Sequence, residues 1–165
     1  MKILIISDSH DNLQNLEKAL KLAKQEKISA LLHCGDIVST KTLKFIAENF
    51  SGRIYAVFGN ADNEKEKILK LSKSASRRIK IFPETAELKI GSIKIAANHY
   101  PIEAKKLAQS QNYDFVFYGH AHRPWVEIIG QTVLANPGPL DNSFPTPTCA
   151  VLNTKTKKLE LKILK

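Results

Sequence analysis

A chain of 165 residues, 43% hydrophobic and 25% charged, has the composition of an ordinary globular protein and can close one core, so residues 1–165 are read as one domain. No run is long and apolar enough to span a bilayer, and Ile3 to Ile6 is too short for the apolar region of a signal peptide. The two cysteines, Cys34 and Cys149, stand far apart and outside any Cys-x-x-Cys pair, which argues against a disulfide framework and a thiolate zinc site, and the expected location is cytoplasmic.

In chain order, Lys2 to Ile6 is an apolar run bounded by polar residues and reads as a strand buried on both faces. Asn12 caps the helix that follows, whose Leu13, Leu16, Leu20 and Ala23 recur at helical spacing. Ile28 to His33 is a second buried strand. A second helix starts at Thr40 or Thr42 with Leu43, Ile46 and Ala47 inward, and Arg53 to Phe58 is a third strand. This β-α-β-α-β order predicts a parallel sheet with crossover helices.

Glu64 to Ser74 reads as a helix. From Glu64 to Lys80 basic side chains outnumber acidic ones, as a patch or simply an exposed helix. The stretches 87–90 and 93–96 alternate around Gly91-Ser92, a hairpin signal. Pro101 to Gln109 reads as a helix with proline in its first turn, and Phe115 to Tyr118 as a buried strand. Short strands follow at 126–129, 132–134, 149–152 and 159–163. The simplest α/β assembly is two packed sheets with helices outside. An exposed antiparallel edge could pair between subunits in a homo-oligomer.

Polar residues interrupt this pattern where strands end: Asp8-Ser9-His10, Gly35-Asp36, Gly59-Asn60-Ala61-Asp62, Asn98-His99 and Gly119-His120-Ala121-His122. Ligands of α/β sheets bind beyond the carboxyl ends of strands, so five such ends can converge on one crevice. Residues two apart in an extended segment point the same way, so Asp8 with His10, and His120 with His122, are expected to grip metal as pairs. Glycine before a ligand permits a tight turn and close backbone approach. Carboxylate, amide and imidazole donors without thiolates suit manganese, iron, zinc, cobalt or nickel.

These five segments, in this order, resemble the calcineurin-like metallophosphoesterase superfamily, and Asn136-Pro137-Gly138 resembles a segment of its small bacterial and archaeal phosphodiesterase branch. The resemblance covers nearly the whole chain. It implies a four-layer αββα sandwich of two mixed β-sheets flanked by helices. It also implies two divalent metal ions, manganese first among the candidates. One would be held by Asp8, His10, Asp36 and His122, the other by Asp36, Asn60, His99 and His120, with Asp36 bridging. Such a pair would clamp the attacking and leaving oxygens of an in-line displacement on a phosphodiester, with a bridging hydroxide as nucleophile. Asp36, Asn60 and Asp62 are the expected catalytic residues.

Many relatives carry a histidine where Ala61 stands here, a proton donor to the leaving group. Four of the five histidines are expected ligands, which leaves His33, a residue that reads as a satisfied strand histidine. Diesters and activated esters are therefore the expected substrates. Asp62 either supplies a proton or orients a ligand from behind. Three residues are candidate substrate contacts: Asn12, otherwise a helix cap; Tyr100, otherwise a packing residue at helix entry; and Arg123, otherwise solvated.

Two other function classes compete. The retromer scaffold subunit resembles the same branch with eroded metal motifs, but all seven ligand positions here hold a competent side chain. The formal charge of +9 suits nucleotides or nucleic acid as well as a solvated lysine-rich surface, but no helix-turn-helix, zinc finger or RNA-binding aromatic motif is present.

Overall fold

The computed structural model describes residues 1–74 and 78–165. The basic stretch from Glu64 to Lys80 therefore lies partly outside the described residues. β1 (Lys2–Ile6), β2 (Ala30–His33) and β3 (Arg53–Val57) are parallel and linked by α1 (Leu13–Gln25) and α2 (Thr40–Asn49). α3 (Lys65–Ser74) leads into β4 (Ile79–Phe82), a strand absent from the sequence-based expectation, which pairs parallel to β3. β5 (Thr85–Ile90) and β6 (Ile93–Asn98) form the expected hairpin, followed by α4 (Pro101–Gln109) and β7 (Phe115–Phe117). β8 (Trp125–Ile129), β9 (Thr132–Asn136), β10 (Thr148–Asn153) and β11 (Lys158–Ile163) complete the chain. The six-stranded sheet has the order β11-β10-β1-β2-β3-β4 and the five-stranded sheet β5-β6-β7-β9-β8. Both are mixed.

Side-chain alternation sets the layers. On β1, Ile3 and Ile5 face Leu32, Val57, Ile95 and Phe117 in the core between the sheets. Leu4 and Ile6 face the other way, onto Leu16, Leu20, Leu43 and Ile46 of α1 and α2. Each fully buried aliphatic side chain contributes about 1.5–3 kcal/mol through burial, so β1 anchors two cores at once. On the far face of the second sheet, Ala104 and Ala108 of α4 pack on Ala96, Val116 and Leu134. The result is the αββα sandwich, with α1, α2 and α3 on one side and α4 on the other.

Helix starts follow local chemistry. Asn12 Oδ1 accepts the Asn15 N–H at 3.1 Å, and Ser39 Oγ accepts the Lys41 N–H at 3.3 Å. The cap of α2 is therefore Ser39, with Thr40 the first helical residue. Pro101 occupies the first turn of α4, where its missing N–H has no helical partner to lose. Among the described residues no helix is long and apolar enough to cross a membrane. The carboxyl ends of β1, β2 and β3 in one sheet, and of β6 and β7 in the other, meet at one end of the sandwich.

Candidate metal centre

The chain turns sharply as it leaves these strands. Asp8 (φ +50°), His10 (+40°), Asp36 (+58°), His120 (+63°) and His122 (+47°) all adopt left-handed backbone. A non-glycine residue held there costs on the order of 1–3 kcal/mol, offset here by loop-to-loop hydrogen bonds. The Asp8 N–H donates to Gly35 O at 3.0 Å and the His10 N–H to Asp36 O at 3.2 Å. This corrects the extended geometry expected from the two-residue spacing. Asp8 and His10 do serve one group, but His120 and His122 diverge to different groups.

The first group is Asp8, His10, Asp36 and His122, whose ligand atoms lie within 4.8 Å of one another. His10 Nε2 is 3.4 Å from Asp36 Oδ2, and His122 Nε2 is 3.3 Å from Asp8 Oδ1. The second group adjoins it. His99 Nε2 lies 3.4 Å from the same Asp36 Oδ2 and 3.1 Å from Asn60 Oδ1. His120 Nδ1 is 2.9 Å from that Asn60 oxygen. Asp36 thus stands between the groups and faces both. The close fit depends on Gly59, where a Cβ would collide with Asp36 Oδ1 and the His99 ring. Gly35, at φ +103°, lies against the same ring.

Neighbouring acceptors fix the imidazole tautomers. Cys34 O lies 2.9 Å from His99 Nδ1. A carbonyl can only accept, so Nδ1 carries the proton and Nε2 turns its lone pair inward. Asp141 Oδ2, 3.1 Å from His122 Nδ1, does the same for His122, and Ser143 Oγ sits 2.6 Å from that nitrogen while also donating to Asp141. Asp141 and Ser143 were not among the sequence candidates. The Asn136-Pro137-Gly138 segment just before them was the only signal.

The electrostatics match a cation site. Burial alone would raise the Asp36 carboxyl, but the adjoining His10 and His99 rings and the Ala61 N–H outweigh it and hold the group well below the usual carboxylate range. Burial raises the Asp8 carboxyl, and among the described residues its Oδ2 is buried without a hydrogen-bond donor. Rings from the two loops crowd each other, with centroids 5.2 Å apart for His10 and His122 and also for His99 and His120. Among the described residues neither Asp8 nor Asp36 pairs with a lysine or arginine, and the converging oxygen and nitrogen donors of the first group suit manganese, iron, zinc, cobalt or nickel.

The remaining candidates fall in different places. Asp62, expected among the catalytic residues, is a buried clamp. Its Oδ2 accepts the Gly59 N–H (2.6 Å) and the Asp36 N–H (3.2 Å), and its Oδ1 the Val38 N–H (2.7 Å). It joins the β2 and β3 loops. Asn12, a candidate substrate contact, is committed to the α1 cap and reaches Asn142 at 3.4 Å. The Tyr100 ring packs edge-on against His99 (5.1 Å) and His120 (5.4 Å) while staying 41% exposed, so it lines the second group. The Arg123 guanidinium sits 5.9 Å from the Trp125 ring centroid. His33 is fully buried, its Nε2 2.9 Å from Ser9 Oγ, and burial pulls its pKa down to about 3.

Comparison with known proteins identifies the family. The family model described as the calcineurin-like phosphoesterase superfamily domain matches residues 1–157. Phosphodiesterase MJ0936 of Methanocaldococcus jannaschii is 32% identical over 161 residues, 96% of each chain. A solved structure described as a novel archaeal phosphodiesterase has a TM-score of 0.91 at 30% identity, covering 99% of this chain and 100% of the other. Vps29 of Chaetomium thermophilum, at 17% identity and TM-score 0.72 over 99% of this chain and 94% of its own, shares the fold. With a family match that runs from β1 through β10, this chain belongs to the calcineurin-like phosphoesterase superfamily.

Proposed function

We propose that this protein is a metal-dependent phosphodiesterase with a dinuclear centre. The observation that carries the reading is the position of Asp36, whose Oδ2 lies 3.4 Å from both His10 Nε2 and His99 Nε2. Asp8, His10, Asp36 and His122 would hold one cation, and Asp36, Asn60, His99 and His120 the other. Bound there, two divalent ions supply Lewis-acid charge and lower the pKa of a coordinated water. The likeness to phosphodiesterase MJ0936 supports a diester substrate.

The chain's own residues set what such a site can do. Asn60, Tyr100 and His120 are exposed, so an anionic ester reaches the second group from solvent. Cys34 O and Asp141 keep the ring protons of His99 and His122 on the outward nitrogens. Proton donation to a leaving group is poorly served. Ala61 has no proton to give, His33 is buried and neutral, and both Asp62 oxygens are occupied by backbone amides. Esters with acidic leaving groups should therefore turn over fastest.

The test is hydrolysis of bis(p-nitrophenyl) phosphate by manganese-loaded protein, beside the Asp36→Ala variant. Turnover by the wild type and none by the variant is the expected outcome. A manganese-loaded wild type without turnover, or a variant as active as the wild type, would overturn the reading.

A further inference from the structure

The two open edges of the sandwich differ in chemistry. At the β8/β11 edge the exposed side chains include Val126, Ile128, Leu161 and Ile163. At the β4/β5 edge the corresponding surface is cationic. A cleft of about 330 Å³ runs along the seam between the sheets, lined by Arg53, Tyr55, Arg78, Lys80, Leu88 and Lys89. Arg53, Tyr55 and Lys80 occupy inner-face positions of the first sheet, Arg53 opposite Ala30 and Lys80 opposite Tyr55. An apolar residue would normally stand there, yet Arg53, Lys80 and Lys89 are exposed.

Among the described residues none of these four cations has a carboxylate partner. Arg78 donates to the carbonyls of Ala47, Phe50 and Gly52, which commits its guanidinium to the C-terminal end of α2, so Arg53, Lys80 and Lys89 are the cations left open to a ligand. Glu87, the carboxylate lining the cleft, interacts with Tyr113. Against Glu87 the cations are in excess, so the cleft is net positive and favours an added anion. The half-buried Tyr55 gives the cleft an aromatic wall, and the Lys80 Nζ lies 4.6 Å from the ring centroid of Phe82 further along β4. Cations interleaved with aromatic faces form the surface on which a single strand tracks its phosphates and stacks its bases.

We propose that this cleft binds single-stranded nucleic acid, and that such a strand is the phosphodiester substrate. The substrate assignment rests on the diesterase reading above; the binding step does not. Shape favours a strand over a membrane, because a flexible polymer enters a recess between two sheets and a lipid surface cannot. Direction favours it too. β3 rises from Arg53 in the cleft towards Asn60 of the metal centre, so the cleft and the second metal group lie at opposite ends of one strand and a polymer, unlike a small anion, can span both.

Fluorescence anisotropy of 5′-labelled oligo(dT) and oligo(U), in chelator so that nothing is cleaved, tests the binding step. With three phosphate contacts and a slope of about −0.7 per contact, affinity should fall about 20-fold between 50 and 200 mM salt. Arg53→Gln, Lys80→Gln and Lys89→Gln together should remove most of that dependence and at least about tenfold of the low-salt affinity. These side chains are exposed, and a thermal melt matching the wild type confirms an intact fold. Lys80→Gln alone should lower the slope by about 0.7.

Equal binding by the triple variant overturns the proposal. So does binding only to phosphatidylserine vesicles, which would make the cleft a membrane contact. Manganese added to the bound oligonucleotide should cleave it; a bound strand left intact by protein that hydrolyses bis(p-nitrophenyl) phosphate overturns the substrate assignment. Wild-type turnover of that small diester reports on the metal centre alone, so failure there is distinguishable from failure of the cleft.

Discussion

Replacing Asp62 should destabilise the protein and loosen its metals together. The carboxylate accepts three backbone N–H groups, from Gly59 at 2.6 Å, Val38 at 2.7 Å and Asp36 at 3.2 Å. Asp62→Ala leaves all three donors without an acceptor, at about 1–3 kcal/mol for each that stays buried and dry. Water entering the space left by the carboxylate recovers part of this, so a net loss of about 4 kcal/mol is expected. For a chain of this size that lowers Tm by roughly 8–16 °C. Asp62→Asn keeps the volume but presents an NH2 group to at least one donor, with a loss of about 2 kcal/mol. Because the Asp36 and Gly59 amides are then no longer clamped, manganese affinity should drop about 10–100-fold in either variant. Thermal melts in chelator and calorimetric manganese titrations measure both effects. Asp62→Asn with unchanged Tm and unchanged manganese affinity, but kcat reduced a hundredfold or more, would refute the clamp and make Asp62 a proton donor.

Other consequences are narrower. Asp141→Asn removes the carboxylate behind His122, so affinity at the first metal group should fall about 10–100-fold while the second is unchanged; equal loss at both sites in a two-step titration would contradict the geometry. Glu26 is held below its ordinary value of 4.5, chiefly by the hydrogen bond from Lys2 and also by the Lys162 charge. Its contribution is present above pH 4.5 and lost as pH falls through the lower folded value. Glu26→Gln should therefore cost at most about 1 kcal/mol near neutrality, with the difference vanishing in acid. Urea melts at pH 7 and pH 3 check this, and a gap that widens in acid would contradict the assigned sign.

Where sequence and structure agree, the reason is burial. Ile3 to Ile6 shows no polar alternation because both faces of β1 lie in a core, and Leu16, Leu20 and Ala23 mark the buried stripe of α1. β4 escaped notice because Ile79-Lys-Ile-Phe82 is short, follows a basic stretch and becomes a strand through its register with β3. That is a tertiary effect that local pattern does not carry. The seven proposed ligands were visible because they interrupt apolar runs. Their directions were not visible, since spacing in sequence says nothing of the left-handed turns at Asp8 and His120. Asp62 stood in a recognisable motif, yet its role depends on amides from two separate loops. Asp141 reaches His122 from a loop with no motif of its own.

The central claim is that seven side chains cage two divalent cations with Asp36 between them. Anomalous diffraction from crystals grown with manganese tests it most directly. Two peaks about 3.5–4 Å apart are expected, both touching Asp36, one shared with Asp8, His10 and His122 and the other with Asn60, His99 and His120. A single peak, or manganese bound elsewhere with these residues bare, would contradict it.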